Sequence, residues 1–384
     1  MSERTIGIIM HGVTGRMGKN QHLIRSILAI REKGGVELSN GDRLMPEVYL
    51  VGRNEQKIAD LAAEFGIQNY GCNIDEALAI QDNVVFFDAA STRLRPKLLK
   101  KAIEAGKAVY CEKPIAEDLQ TAIEIATFAE KKGVKNGVVH DKLDLPGIRK
   151  LRRLRDSGFF GEIVSVRGEF GYWVFEGDIF PSQRPSWNYK LQEGGGIITD
   201  MLCHWRYVLD NTIAPVRAVS CMAATHIRKR WDESGRPYRA DADDAAYAIF
   251  ELEGGIIASF NSSWCTRVRR DDLVTIQVDG TQGSAVAGLH KCVSQHRSNT
   301  PKAVWNPDQP TEHDFFADWD EVPDNEDFGN AFRVQWEQFL LHVVENAPWT
   351  YSFIEGAKGV QLAQLALRSV KERCWFDVPD LKLK

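Results

Sequence analysis

Thr5-Ile6-Gly7-Ile8-Ile9-Met10-His11-Gly12-Val13-Thr14-Gly15-Arg16-Met17-Gly18 reads as a buried parallel strand running into a glycine loop. A helical pattern follows through Leu23, Ile24, Ile27 and Leu28. The glycines stand at GxxGxxG, a variant of the dinucleotide fingerprint. Gly12 permits the tight turn, and Gly15 lets backbone approach a pyrophosphate. The helix beyond offers free N–H groups and the positive end of its dipole to an anion. A glycine-rich turn without a ligand is the plainer reading of such spacing. Its position, after the first strand and at the head of a helix, favours a cofactor.

Outward from this loop, strand and helix alternate to about residue 140. Glu47 to Gly52 is the second strand. NAD-preferring sites usually end it with an acid that holds the ribose hydroxyls. Here it ends in Gly52-Arg53-Asn54. Arg53 suits a 2′-phosphate, which favours NADP, or stacks on adenine, which leaves NAD open. Lys33-Gly34-Gly35 and Asn40-Gly41-Asp42 mark turns, and residues 34–46 read as a loop insertion. A helix covers Glu55 to Phe65, a short strand lies near Ile67 to Tyr70, and Asn83 to Ala90 is a buried strand. Ser91 and Thr92 follow it, either against a nicotinamide ribose or as caps of a helix from Pro96 to Ala105. After a helix from Leu119 to Lys132, the strand Val134 to Val139 delivers His140-Asp141-Lys142. This alternation predicts a doubly wound Rossmann domain.

Within it, Ala108-Val109-Tyr110-Cys111-Glu112-Lys113-Pro114 is a strand that stops at a charged pair and a proline. Proline lacks the N–H a sheet needs and pushes Lys113 out of the helical region. The lysine therefore sits at the carboxyl edge of a parallel sheet, where such sheets bind ligands.

From Glu162 the period changes to two. Ile163 to Phe170, Ala246 to Leu252, Ile256 to Asn261 and Val274 to Val278 alternate, and Gly254-Gly255 makes a hairpin. An open antiparallel sheet covered on one face follows. Gly194-Gly195-Gly196-Ile197-Ile198-Thr199-Asp200-Met201-Leu202-Cys203-His204 places flexible backbone before a helix that shows Asp200 and His204 on one face. A carboxylate beside a histidine orients and tunes it. Tyr172 and Trp173, with Arg184 and Trp187, mix aromatic faces and polar groups in a way that suits sugar rings. Pro301 to Asp327 reads as a surface excursion, and Phe328 to Val343 and Ile354 to Leu367 as core helices. Cys374 to Val378 closes the chain as a strand or tail.

Composition narrows the class. A length of 384 residues suits two domains. A net charge of −5 argues against a nucleic-acid binder. There is no signal-peptide pattern or membrane-length apolar run, and the seven cysteines show no CxxC. A cytoplasmic protein with no metal site is expected.

The glycine loop, Glu112-Lys113-Pro114 and GGGxxxDxxxH in this order resemble the glucose-fructose oxidoreductase / inositol dehydrogenase / rhizopine-catabolism (Gfo/Idh/MocA) family over nearly the whole chain. The resemblance implies a Rossmann domain over 1–142. Over 143–384 it implies an α/β domain with an open, mainly antiparallel sheet that binds substrate and forms homodimers or homotetramers. It implies NAD or NADP, and hydride transfer to or from a secondary hydroxyl of a sugar, glycoside, sugar acid or cyclitol. Lys113 is then the active-site lysine, with a cis bond to Pro114 as in relatives, and Asp200 and His204 the acid/base pair. Gly12, Thr14, Gly15, Arg16 and Met17 then hold the cofactor phosphates, and Glu112 lies near the nicotinamide ribose; Arg53, Asn54, Ser91 and Thr92 are cofactor candidates from their strand ends, Ser91-Thr92-Arg93 departing from the Thr-Pro-Asn-type turn of many relatives. His140 and Lys142 depart from the family's common residues and imply extra cationic or hydrogen-bonding capacity toward substrate. Three alternatives stay open. A glycosidase using NAD transiently would release an aglycone without net cofactor reduction. A cofactor-sensing regulator would show no turnover. A dihydrodipicolinate-reductase-like enzyme would share the glycine loop alone.

Overall fold

In the computed structural model, which describes residues 2–174, 185–302, 306–310 and 313–383, the chain divides into two units. One takes Met1–Asp144, Gly329–Gln364 and Asp380–Lys384; the other takes Leu145–Phe328 and Leu365–Pro379. The expected boundary at 142/143 therefore moves to 144/145, and much of the C-terminal region returns to the first unit.

The first unit carries β1 (Glu3–His11), β2 (Val36–Glu37), β3 (Arg43–Val51), β4 (Asn69–Gly71), β5 (Asn83–Asp88), β6 (Ala108–Cys111) and β7 (Asn136–Val138). Their order is β2-β3-β1-β5-β6-β7, with β4 beside β3. All pairings are parallel except β2 with β3. Burial on both faces explains the unbroken apolar run of β1. One face packs Ile8, Met10, Val85, Phe87 and Tyr110 against Trp336, Phe339 and Leu340 of the helix Ala331–Glu345. That contact returns the C-terminal helix to this unit, since each such side chain contributes about 2 kcal/mol when buried. The other face packs Ile9, Phe86 and Val109 against Ile125 and Ala126 of Leu119–Lys131 and against Phe353 and Ala357.

Three local expectations change. Residues 34–46 are not a plain loop: Gly35 and Gly41, both at φ +84°, turn the chain so that Val36–Glu37 pairs with Arg43–Leu44. The helix after the glycine loop is a π-helix, Gly18–Leu28. It buries His22 and Ser26 beside Leu23 and Ile27, while Ile24 and Leu28 are half-buried. Ser91 and Thr92 do not cap the next helix with their side chains. Arg95–Glu104 begins with Leu94 at its N-cap and a proline in its first turn, and only the backbone carbonyls of Ser91 and Thr92 accept from Leu94 and Arg95.

The second unit carries β8 (Ile163–Gly171), β9 (Val216–Ala224), β10 (Lys229–Trp231), β11 (Pro237–Arg239), β12 (Ala245–Leu252), β13 (Ile257–Ser263), β14 (Val274–Gly280), β15 (Gly283–Ala287), β16 (Cys292–His296), β17 (Asp320–Glu321) and β18 (Phe376–Asp377). The main sheet runs β17-β16-β15-β14-β8-β13-β12-β9-β18, and β10 pairs with β11 apart from it. It is antiparallel except between β8 and β13. Along β12, Ala246, Ala248, Phe250 and Leu252 are buried while Tyr247, Ile249 and Glu251 face outward, the alternation of a sheet covered on one face. The stretch Pro301–Asp327 is more than a surface excursion. Its β17 extends the sheet beside β16. Asp324 and Glu326 pair with Lys150 at 2.7 Å and Arg149 at 2.8 Å, on the basic helix Pro146–Asp156.

Candidate functional site

Register places one row of strand ends side by side in the first unit. His11 stands opposite Val51 and Asp88, Asp88 opposite Cys111, and Cys111 opposite Val138. The loops leaving this row carry Arg53, the glycine loop, Ser91 and Thr92, Glu112 and Lys113, and His140. Almost every residue expected at the cofactor therefore springs from one carboxyl edge.

The three loop glycines have different reasons to be glycine. Gly12 has φ +80°, and a Cβ there would lie 2.4 Å from Ala90 N. A Cβ on Gly18 would lie 2.5 Å from Gly12 O. Both positions are closed by the fold itself. A Cβ on Gly15 would meet only Gly12 O, at 3.4 Å, so the protein leaves its outer side open. Thr14, Gly15 and Arg16 are exposed. Among the described residues no side chain caps the helix that follows, and its first turn holds no acid. Open space, uncapped N–H groups and no competing carboxylate fit a dinucleotide pyrophosphate. Gly15→Ala is accordingly expected to keep the parental unfolding midpoint but to weaken cofactor binding about tenfold. Equal affinity in a fluorescence titration would contradict it.

Two buried carboxylates organise the edge. Asp88, fully buried, accepts from His11 Nδ1 at 2.7 Å and Arg95 Nε at 2.9 Å. Burial opposes its charge, but the His11 hydrogen bond and the Arg95 charge hold the carboxyl below its usual range. Arg95 also donates to Ala90 O at 2.7 Å and to Pro114 O, tying the loop after β5 to the one after β6. Glu112 accepts from His22 Nε2 at 2.8 Å and from Lys113 N at 3.1 Å. Its burial is likewise outweighed, by the His22 hydrogen bond and the charges of Lys113 and Arg95, so its carboxyl lies low as well. Lys113 is half-buried, and its peptide bond to Pro114 is cis. Arg53 is exposed, whereas Asn54 caps Glu55–Phe65 by accepting from Lys57 N at 2.9 Å.

For His140 the cationic option of the expectation falls away. Its ring is buried, and its backbone N–H donates to Gln335 Oε1 at 2.8 Å, which also accepts from Tyr110. Burial, with the nearby charge of Lys358, pushes it down to about 3. It is a neutral ring, not added cationic capacity. Lys142 lies 3.6 Å from Asp141. The histidine makes stability depend on acidity. The unfolded chain takes up its proton near the ordinary histidine value of 6.5 and the native ring only at about 3. Between those values the unfolded state binds more protons, so stability falls as pH drops, by up to about 1.4 kcal/mol per pH unit. Urea midpoints between about pH 7 and pH 4 read this slope; an equal slope in His140→Gln would contradict the assignment.

In the second unit the triple glycine has a steric origin. Gly194 and Gly196 have φ +77° and +121°, and a Cβ on Gly195 would lie 2.5 Å from the carbonyls of Trp187 and Asn188. The turn feeds the helix Ile197–Thr212, whose first amides donate to Asp243: Ile197 N to its carbonyl at 2.9 Å and Ile198 N to Oδ2 at 2.8 Å. Asp243 is a cap supplied from far along the chain, and burial raises its carboxyl. On this helix Asp200 is half-buried and His204 buried. His204 Nδ1 shares a 2.5 Å hydrogen bond with Tyr207 OH. Tyr172 and Trp173 follow β8; Trp173 bridges Cys265, and the Arg267 guanidinium lies 4.1 Å over its ring. Trp187 is exposed on the turn Ser186–Tyr189. Arg184 lies outside the described residues.

Sequence reading missed Tyr207, Asp243, His22 and the Asp88–Arg95 pair. Tyr207 stands three residues after His204 on a helix, a spacing that places side chains together. Asp243 and His22 depend on partners distant in sequence, whereas Arg95 reaches Asp88 across the loop after β5.

Among the described residues no helix is long and apolar enough to cross a membrane. A family model described as "Oxidoreductase family, NAD-binding Rossmann fold" matches residues 6–140, and one described as "GFO/IDH/MocA C-terminal domain" matches 148–286. A D-xylose dehydrogenase of Paenarthrobacter nicotinovorans is 53% identical over 382 residues, covering 98% of each chain. A 1,5-anhydro-D-fructose reductase of Ensifer adhaerens is 26% identical over 263 residues, 67% of this chain and 70% of the reductase. A solved levoglucosan dehydrogenase in complex with NADH superposes with a TM-score of 0.82 at 19% identity, covering 98% of this chain and all of that one (100%).

Proposed function

The chain belongs to the GFO/IDH/MocA family of oxidoreductases, and from that membership we propose that D-xylose, or a pentose close to it, is its substrate. It is an NAD(P)-dependent sugar dehydrogenase. The observation that carries the substrate is the 53% identity to a D-xylose dehydrogenase along 98% of both chains.

When bound, the nicotinamide accepts or returns the hydride of the carbinol carbon. The protein supplies the proton traffic. His204 takes the hydroxyl proton as base, its ring steadied at Nδ1 by Tyr207 and its charge matched by Asp200. The role assigned to Lys113 is to stabilise, with its ammonium, the negative charge that develops on the substrate oxygen. In reduction the same groups return the proton. Tyr172, Trp173, Trp187 and Lys142 contribute the sugar-facing surface, and Ser91, Thr92 and Glu112 the cofactor's ribose side.

For the cofactor the reading is NADP ahead of NAD. β3 ends without an acid, and exposed Arg53 stands where a 2′-phosphate would need a cation. The protein also works as a homodimer or homotetramer. Met222, Tyr247, Ile249 and Ile257 are exposed together on the uncovered face of the second unit's sheet, an apolar face of the kind that marks a protein contact. Light scattering of the purified protein would read the mass.

The deciding experiment follows reduced-cofactor absorbance with NAD and NADP against D-xylose, other pentoses and hexoses, levoglucosan and inositols. The expected result is the highest kcat/KM with D-xylose and NADP, with Arg53→Ala losing the NADP preference. No turnover with any pentose would overturn the substrate, and NAD preference in the parent would overturn the cofactor.

A further inference from the structure

His22 is a fully buried histidine on the π-helix after the glycine loop. Phe87 lies 4.4 Å from it and Phe332 5.2 Å, centroid to centroid, and both ring nitrogens are engaged. Trp336 Nε1 stands 3.0 Å from Nδ1, and Glu112 Oε1 stands 2.8 Å from Nε2.

An indole N–H can only donate. Nδ1 therefore offers its lone pair and carries no proton, and the ring proton is on Nε2, pointing at Glu112. Glu112 Oε2 accepts the Lys113 backbone N–H at 3.1 Å. One chain of hydrogen bonds thus runs from Trp336 through His22 and Glu112 to the backbone of Lys113. The charged group that faces the ring is Glu112, on which Lys113 and Arg95 act in turn. Phe87 of β5 and Phe332 and Trp336 of Ala331–Glu345 present aromatic walls.

We propose that His22 is a positioning residue for Lys113: a neutral imidazole, held in its Nε2–H tautomer by the Trp336 indole, that donates to one oxygen of Glu112 and so fixes the other on the Lys113 amide. This rests on the reading of Lys113 as a catalytic group. The lysine's backbone is set by a donor chain that reaches back to a helix near the C-terminus. Losing the middle link turns the buried carboxylate toward another donor and moves the lysine's base. A misplacement of about 1 Å at a reacting group costs up to about a hundredfold in rate.

The test has a spectroscopic arm and a kinetic arm. Histidine-15N labelling of the intact protein, with the His22 signals assigned by their loss in His22→Gln, is expected to show one neutral ring with unprotonated Nδ1 and protonated Nε2. A proton on Nδ1 would overturn the proposal. Trp336→Phe removes the indole donor and is expected to end the single-tautomer signature; an unchanged signature would overturn it too. In the kinetic arm, His22→Phe fills the apolar space without a donor and is expected to lower kcat about tenfold to a hundredfold, with sugar KM and cofactor affinity little changed. His22→Gln restores a donor toward Glu112 and an acceptor toward Trp336, and is expected to recover most of kcat. A folded His22→Phe with parental kcat, or two variants equally impaired in melting temperature alone, would overturn the positioning role. Should His22→Phe fail to fold, the tautomer of the parent and the Trp336→Phe spectrum still decide. Full activity in Lys113→Met would bring down the catalytic reading instead, with the tautomer result standing.

Discussion

Lys113→Met is expected to yield a folded protein that binds its cofactor and turns over about 10²–10⁴-fold more slowly. Methionine keeps the length and apolar stem of lysine and removes only the ammonium. The backbone is held without that ammonium, because the Lys113 amide donates to Glu112 and the following carbonyl accepts from Arg95. The loss therefore falls on kcat. Circular dichroism and a cofactor fluorescence titration would register as parental, while steady-state absorbance at saturating sugar would show the deficit. His204→Ala is expected to behave alike, since the proton acceptor is then missing. Near-parental turnover in either variant would end that residue's assignment.

Arg95→Met is expected to destabilise the protein by about 3–5 kcal/mol. Arg95 and Asp88 are both almost wholly shielded from water, and among the described residues Asp88 keeps His11 as its side-chain donor when the guanidinium is gone. A buried carboxylate short of a cation costs more than the pair contributed, so the deficit is asymmetric. Arg95→Met combined with Asp88→Leu is expected to recover much of the loss, because neither charge then remains to be shielded. Urea unfolding of the single and double variants measures both steps. A single-variant loss below about 1 kcal/mol would mean that water or another group reaches Asp88. Since Arg95 also holds Ala90 O and Pro114 O, its loss is expected to lower kcat as well.

What the sequence made legible was local. The strand and glycine loop at 5–18, the Glu112-Lys113-Pro114 break and the period-two strands from 163 onward each write their geometry into neighbouring residues. The helix Glu55–Phe65 matches its apolar spacing to the residue, with Asn54 before it and Gly66 after it as stop signals. What stayed hidden were features whose partners lie far away. His22 drew no reading at all, because nothing beside it in the chain shows what its ring meets. Its partners are Glu112 and Trp336, 90 and 314 residues on. Asp243 was invisible as a cap, since caps are sought next to the helix they close and this one arrives 45 residues later. His140 was read as either cationic or hydrogen-bonding, and only packing reveals that burial keeps it neutral.

The discontinuity of the first unit bears on how the chain is made. Residues 1–144 leave the ribosome with Ile8, Val85, Phe87 and Tyr110 still lacking Trp336, Phe339 and Leu340. Those residues are synthesised only after all of 145–328. At roughly 5–20 residues per second the nascent unit waits on the order of ten to forty seconds with that aromatic face open. The nucleotide-binding half is therefore completed last although it is encoded first. In that interval the nascent chain is a natural client for chaperones.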